Sequence, residues 1–281
     1  MFRVGTWVLG TLASLILFLI LTQDLQIYAE LLLKFSGQSG PYNPPKPGGN
    51  AADFFAETAD GARIHFRRWA PTAPPQSRLR AAILSQGNAG TMDDYHTIPK
   101  WLAAKGIATY VYDYRGYGLS TGWPTEQGIY RDAEAIWRQA QSRDRATPET
   151  TLVFGHSLGG GPSSYLAEKY NLAVLITAAT YTRVPDRAAL HPFFGRLAPF
   201  VWTNFPTRER ISRLKDTCLI VLHAHNDDTM PFAMSRQLVN AYKGSNRAFF
   251  AEHPTAGHAG IIGLVPQLAD PLLAKCGNFE P

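Results

Sequence analysis

The chain has 281 residues, a hydrophobic fraction of 45% and a charged fraction of 17%. That balance excludes a globally disordered chain and suits one large domain, or two small ones, with a sizeable core. Net charge is +5, but the basic residues are scattered, which argues against nucleic-acid binding.

No residue between Arg3 and Asp24 is charged. About 20 such residues, rising ~1.5 Å each, would cross the ~30 Å hydrocarbon core of a bilayer. Residues 1–24 are therefore expected to form an N-terminal transmembrane helix. A cleaved signal peptide is the competing reading, but no small-x-small cleavage site follows. Arg3 before the segment, with Asp24 and Glu30 after it, places the N-terminus in the cytoplasm and the main domain on the non-cytoplasmic side. Residues 25–52 read as a juxtamembrane stretch and a Gly/Pro-rich linker with no core of its own. The folded domain is expected to start near Asp53 and occupy residues 53–281.

Phe54–Thr58, the pair Asp60 and Gly61, and Ala62–Trp69 read as a β-hairpin, since Asp-Gly suits a tight turn. The densest basic group, Arg63, Arg67, Arg68, Arg78 and Arg80, is either a solvated strand face or a surface drawn to anionic lipid. Apolar strand runs follow at Ala81–Ser85, Ala108–Tyr112, Thr151–Phe154, Ala173–Ile176, Cys218–Leu222 and Ala248–Ala251. Helical patterns lie between them, as from Pro124 to about Gln141. An opening hairpin followed by β-α-β alternation predicts an α/β fold: a mostly parallel sheet with helices on both faces. Sites in such sheets form at the C-terminal ends of the strands.

The stretch from Val153 to Gly161 reads VFGHSLGGG and contains G-x-S-x-G. Between a buried strand and a helix, this pattern holds a serine on a strained turn, with Gly155 and Gly159 giving room for close approach. Ser157 is thus the candidate nucleophile, and the Leu158 amide would face a developing oxyanion. A phosphate-binding loop would need a Lys that is absent, and a dinucleotide fingerprint would need glycine at residue 157. A serine nucleophile needs a base, and the base an orienting acid, in the chain order Ser, acid, His. His258, in a glycine-rich loop after the final strand, is the candidate base; His253, nearer that strand, reads as structural. Asp227 and Asp228 are both candidate acids. The second oxyanion donor is expected from the loop after Ala81–Ser85, with the Asn88 amide as candidate. His223, His225, Asp227 and Asp228 partly mimic a dinuclear metal motif, but such a site would need further ligands and no Ser157. No metal and no cofactor are expected.

These stretches together resemble the α/β-hydrolase superfamily. The similarity is strongest to its membrane-tethered α/β-hydrolase-domain branch, which includes acyl-protein thioesterases. Residues 85–90 (SQGNAG), 113–118 (DYRGYG) with 124–126 (PTE), 155–159 (GHSLG), and Asp227 with His258 carry the resemblance. It implies Asp227 rather than Asp228 as the acid, because that branch places the acid four residues after a His and often four before a Pro, as His223 and Pro231 stand here. It also implies that Asp113 and Arg115 are scaffold. Two positions depart from the family pattern: Gln86 stands where His is usual, and Ala224 where Gly is usual. Between Ala179 and Thr217 a family member can carry a lid. The aromatic run His191–Phe205 is then either core packing or an apolar rim for an acyl chain. Cys218 opens an apolar run and reads as a small buried hydrophobe, with pairing to Cys276 left open.

The expected activity is a serine hydrolase of carboxylic esters or thioesters with an apolar acyl part, using Ser157, His258 and Asp227. Its partners would be a small-molecule or acylated substrate and the membrane, with oligomeric state open. The competing readings are a peptidase or other hydrolase on the same fold, and an inactive membrane-anchored binding scaffold.

Overall fold

The computed structural model describes residues 42–192, 195–245 and 247–277, together with Ser14 and Tyr28. The expected transmembrane helix, Ser14 apart, lies outside the described residues. Among the described residues no helix is long and apolar enough to cross a membrane.

Eight strands form one sheet: β1 (Ala51–Glu57), β2 (Arg63–Trp69), β3 (Ala81–Ser85), β4 (Ala108–Tyr112), β5 (Thr151–His156), β6 (Val174–Ala178), β7 (Cys218–Ala224) and β8 (Ala248–His253). Their order is β1-β2-β4-β3-β5-β6-β7-β8. β2 pairs antiparallel with both β1 and β4, and every later pairing is parallel. This is the expected parallel sheet opened by an antiparallel hairpin. β3 connects to β4 on one side, and the chain then returns to β5 on the other. The order therefore reverses beside β3, and a crevice opens at the ends of β3 and β5, where Gln86 and Ser157 begin their loops.

The central strands are buried on both faces, so they read as continuous apolar runs. The period of two splits β3 between two cores: Ile83 faces one, Ala82 and Leu84 the other. The first core is closed by α2 (Glu126–Asp144), α3 (Gly160–Tyr170), α5 (Thr207–Arg213) and α6 (Phe232–Ala241). The second is closed by α1 (Thr97–Ala104) and α7 (Gly257–Lys275). α7 buries Ile261, Val265, Ala269 and Leu273, four residues apart, so one helical stripe meets the sheet. Full burial of each Ile, Val or Leu stabilises the fold by roughly 1.5–3 kcal/mol. A short helix, α4 (Val184–Ala188), follows β6.

Several boundaries differ from the sequence expectation for identifiable reasons. α2 starts at Glu126 rather than Pro124, because the Thr125 hydroxyl accepts from the Gly128 amide at 3.1 Å and caps the helix. It runs on to Asp144, where Arg145 turns left-handed (φ 53°). The hairpin begins at Ala51, and the described part of the expected linker is docked on the domain. Tyr42 donates to the Asp93 carboxylate, the Pro45 carbonyl accepts from Arg67 at 3.0 Å, and Tyr28 is fully buried in the first core.

In the arginine group Arg63, Arg78 and Arg80 are exposed, while Arg67 and Arg68 are turned inward. Arg67 bridges Asp53 and Asp93 while almost wholly buried, and Arg68 pairs with Asp144. Arg63 lies 3.6 Å over the Phe55 ring. Alternation along β2 turned two of these cations toward acids from other elements.

Cys218, the first residue of β7, is buried as expected but is not a lone small hydrophobe: it forms a disulfide with Cys276, just past α7. The bond ties α7 to the sheet at the end opposite the Ser157 crevice. It closes a loop across a separation of 58 residues, which in the chain-entropy picture is worth up to about 4 kcal/mol. Cys276→Ser, or a thiol reductant, should accordingly lower the urea midpoint clearly; an unmoved midpoint would show that the bond adds nothing.

Candidate active site

β5 ends at His156, a single 3-10 turn covers Ser157–Gly159, and α3 begins at Gly160. Turning a strand into a helix this abruptly puts Ser157 in the left-handed region, φ 51°. The neighbouring glycines make it feasible. A Cβ on Gly155 would stand 2.3 Å from the Gly159 carbonyl oxygen, and one on Gly159 would stand 2.0 Å from the Ser85 carbonyl oxygen. The turn is therefore pressed against the end of β3. Thr180 Oγ1 donates to the Ser157 carbonyl at 2.6 Å, and the Tyr181 hydroxyl donates to the Leu158 carbonyl at 2.9 Å.

Ser157, His258 and Asp227 come together from three strand ends. His258 Nε2 lies 3.1 Å from Ser157 Oγ, and its Nδ1 lies 2.8 Å from Asp227 Oδ2. With Nδ1–H donating to the carboxylate, Nε2 is left to accept from the serine hydroxyl. His258 stands in the first turn of α7, not in the expected loop, and that turn is pinned by the Gly257 amide, which donates to Asn226 Oδ1 at 2.8 Å. Asp227 Oδ1 accepts from the amides of Met230 (2.7 Å) and Thr229 (2.9 Å). Burial alone would raise the Asp227 pKa. The His258 hydrogen bond and the Met230 and Thr229 amides outweigh it and hold the carboxyl below its usual value.

The alternatives lie elsewhere. Asp228 is exposed and accepts from its neighbour Thr229 Oγ1. His253 Nδ1 accepts from the Thr255 amide. His223 bonds Ser235 Oγ at 2.6 Å and the Met230 carbonyl at 3.0 Å, while His225 pairs with Glu252 at 2.6 Å. The two histidines of the metal-like motif thus have separate partners.

The loop carrying Asn88 is held by three tyrosines. Tyr114 donates to the Gln86 carbonyl at 2.5 Å, the Gly87 amide donates to the Tyr95 hydroxyl at 2.7 Å, and Tyr117 donates to Asn88 Oδ1 at 2.9 Å. Tyr114 and Tyr117 flank Arg115, which joins Asp60 and Asp132 by ion pairs, and Asp113 accepts from the Met92 amide at 2.8 Å. Asp113 and Arg115 thus fix the segment that carries two of the three tyrosines.

Two residues went unread in the sequence. Tyr95 Oη lies 2.9 Å from His156 Nδ1, and His156 Nε2 lies 3.1 Å from the His258 carbonyl oxygen. A carbonyl only accepts, so His156 Nε2 carries the proton and Nδ1 accepts from Tyr95. One chain therefore runs from the Gly87 amide through Tyr95 and His156 to the backbone of His258. It joins the Asn88 loop to the first turn of α7 behind Ser157. The separations in sequence, 61 for Tyr95 with His156 and 102 for His156 with His258, carry no local pattern that could have announced it.

Two cavities meet at Ser157, and Asn88 and Met230 line both. One is about 180 Å³ and is walled by Leu158, Tyr181, Val184, Arg187 and Ala188. The other is about 790 Å³ and includes Asp94, Tyr95, His156, His258, Ile262 and Gly263. No described residue of the aromatic run lines either cavity at Ser157. Phe205 is fully buried in the core, whereas Phe200 and Trp202 are exposed.

Comparison with known proteins agrees with this architecture. The family described as serine aminopeptidase S33 matches residues 77–216, a range that includes Asn88 and Ser157 but stops before Asp227 and His258. The α/β-hydrolase domain-containing protein 17B of Homo sapiens is 30% identical over 188 residues, 64% of this chain and 60% of that protein. The α/β-hydrolase domain-containing protein WAV2 of Arabidopsis thaliana is 26% identical over 265 residues, 89% of this chain and 85% of that protein. Among solved structures, Est1E from Butyrivibrio proteoclasticus with bound ferulic acid superposes with a TM-score of 0.65 at 17% identity, covering 80% of this chain and 99% of that one. The Pyrococcus furiosus esterase Pf2001 gives a TM-score of 0.63 at 15% identity, covering 83% and 97%.

Burial, then the nearby His258, lowers the His156 pKa to about 4. In the unfolded chain the imidazole protonates near pH 6.5. The unfolded state thus takes up the proton first, and stability, full above about pH 6.5, is lost as pH falls to about 4 by an amount on the order of 3 kcal/mol. His156→Gln should flatten this acid limb when urea midpoints are compared at pH 7.5 and pH 4.5. An unchanged limb would assign the loss to other groups.

Proposed function

The chain belongs to the α/β-hydrolase superfamily, and from that premise we propose that it is a serine hydrolase cleaving carboxylic esters or thioesters. The single observation carrying this reading is the continuous chain Ser157 Oγ, His258 Nε2, His258 Nδ1, Asp227 Oδ2 at 3.1 and 2.8 Å. Ser157 Oγ attacks the acyl carbon as its proton passes to His258 Nε2. The imidazolium, stabilised by the Asp227 carboxylate, returns that proton to the leaving group as its bond to the acyl carbon breaks. Water, deprotonated by the same imidazole, then hydrolyses the acyl-enzyme. The Asn88 and Leu158 amides bind the oxyanion, and loss of one such donor costs about 10²–10³ in rate.

The family description, serine aminopeptidase, makes an N-terminal peptide amide the second reading. An aminopeptidase substrate carries its α-ammonium on the acyl side of the scissile bond. With its acyl side in the small cavity, that cation would meet Arg187 and, among the described lining residues, no carboxylate, which favours esters. The esterase likenesses Est1E and Pf2001 support the same choice by fold.

A fluorophosphonate probe should label the wild-type protein and not Ser157→Ala, and His258→Ala should abolish turnover of short p-nitrophenyl esters. Equal labelling of wild type and Ser157→Ala would sink the assignment, and aminoacyl arylamides cleaved faster than matched esters would favour the peptidase.

The uncharged stretch from residue 4 to residue 23 supports an N-terminal membrane anchor. The Cys218–Cys276 disulfide supports a catalytic domain on the oxidising, non-cytoplasmic side. The full chain should stay in the membrane pellet through alkaline carbonate extraction, and a chain starting at Pro41 should not. Recovery of the full chain in the supernatant would remove the anchor.

A further inference from the structure

The serine is the meeting point of two cavities of different size and chemistry, and catalysis decides which end of a substrate enters each. The departing oxygen or sulfur must receive its proton from His258 Nε2, which stands 3.1 Å from Ser157 Oγ. Only a group within hydrogen-bond reach of that nitrogen can take it. The cavity that His258 itself lines is the large one, about 790 Å³. The acyl chain is left with the cavity of about 180 Å³, whose walls are Leu158, Tyr181, Val184 and Ala188.

Size then limits the acyl part. A dry apolar cavity of about 150 Å³ accommodates a molecule the size of benzene, so the small cavity takes about six carbons. Carbons beyond that number find no further apolar wall in it and gain nothing from burial.

Charge limits the other side. Asp94 stands in the wall of the large cavity, and no Lys or Arg lies among its described lining residues. Its Oδ2 accepts from the Thr91 amide, which fixes the carboxylate in place. A leaving group bearing phosphates would meet a like charge with no counter-cation. The basic side chain, Arg187, lines the small cavity, and its Nε donates to the carbonyl of Thr229, in the wall of the large one, at 2.6 Å.

We propose that this protein hydrolyses esters and thioesters of acyl groups of about six carbons or fewer, joined to a bulky leaving group that is uncharged or cationic. The inference rests on the serine-hydrolase reading and adds the substrate class to it. Ala188 and Gly263 are its determinants, one in each cavity. A side chain on Gly263, in the wall of the large cavity, would meet open space, with nothing within 4 Å of its Cβ, so a large residue is accommodated there without moving the backbone.

The test uses the full chain in detergent, with kcat/KM measured for ester and thioester pairs. Turnover should rise from acetyl to hexanoyl p-nitrophenyl esters and rise no further at dodecanoyl. Hexanoyl-N-acetylcysteamine should exceed hexanoyl-coenzyme A by at least about tenfold. Ala188→Trp should cut the hexanoyl-to-acetyl ratio by about tenfold, leaving the ratio of naphthyl to vinyl acetate in place; Gly263→Trp should do the reverse. A folding defect would depress all esters together and move neither ratio. Continued rise through dodecanoyl, preference for the coenzyme A thioester, or both variants moving the same ratio overturns the proposal. In each of those cases, turnover that depends on Ser157 still upholds the hydrolase reading. No Ser157-dependent turnover of any ester overturns both.

Discussion

The left-handed backbone at Ser157 is the constraint on which the rest of the site depends. A non-glycine residue held there costs about 1–3 kcal/mol and persists only where its surroundings over-determine it. The surroundings do so from three directions. Gly155 lets the turn fold back on its own strand, Gly159 lets it press on the Ser85 carbonyl, and Thr180 grips the Ser157 carbonyl from the end of β6. Each grip also sets a neighbour. Because Gly159 touches Ser85, the loop starting at Gln86 must leave β3 directly beside Ser157. Asn88 therefore lines both cavities at Ser157 as a consequence of packing in the turn, and the order β3-β5-β6 brings the three strand ends into line.

A second layer, made of neutral hydrogen bonds, holds the loops against one another. His156 is buried between Tyr95 and the His258 backbone, and burial keeps it uncharged. A charge there would stand close to the His258 ring, 4.9 Å between centroids, and oppose a positive charge on it. An uncharged linkage avoids that repulsion while still fixing His258 relative to the Asn88 loop. His223 plays the matching part beneath Asp227, with Ser235 and the Met230 carbonyl taking its two nitrogens. Burial holds His223 uncharged as well, against the pull of Asp227.

Which features were visible in the sequence follows from the range of the forces involved. β3 and β4 match their predicted bounds, Ala81–Ser85 and Ala108–Tyr112, because fully buried parallel strands are apolar runs with polar ends. The hairpin and the serine turn were equally local, since Asp60-Gly61 and G-x-S-x-G each encode their own backbone geometry. The start of α2 was misplaced because one hydroxyl, Thr125, outweighed the preceding proline. The pairings of Arg67, the disulfide and the Tyr95–His156 link are contacts between distant segments, and composition carries no trace of them. Gly160 and Gly161 are instructive. Added Cβ atoms would strike Thr180 Oγ1 at 2.0 Å and the Phe205 ring at 2.4 Å. The glycines thus admit the segment after β6, whose course no local pattern foretold.

Gln86 shows how the site tolerates a departure from the family pattern. The family resemblance implies His there, ahead of Gly and Asn. Here the buried carboxamide has no hydrogen-bond partner among the described residues, a condition that costs about 1–3 kcal/mol for an unpaired buried polar group. If the side chain at this position positioned the loop, such a vacancy would loosen the Asn88 amide. The loop is held instead by its backbone, the Gln86 carbonyl by Tyr114 and the Gly87 amide by Tyr95, with Tyr117 on the Asn88 side chain. Placement of the Asn88 loop is therefore separated from the identity of residue 86. The tyrosines grip groups that every sequence at this position would present.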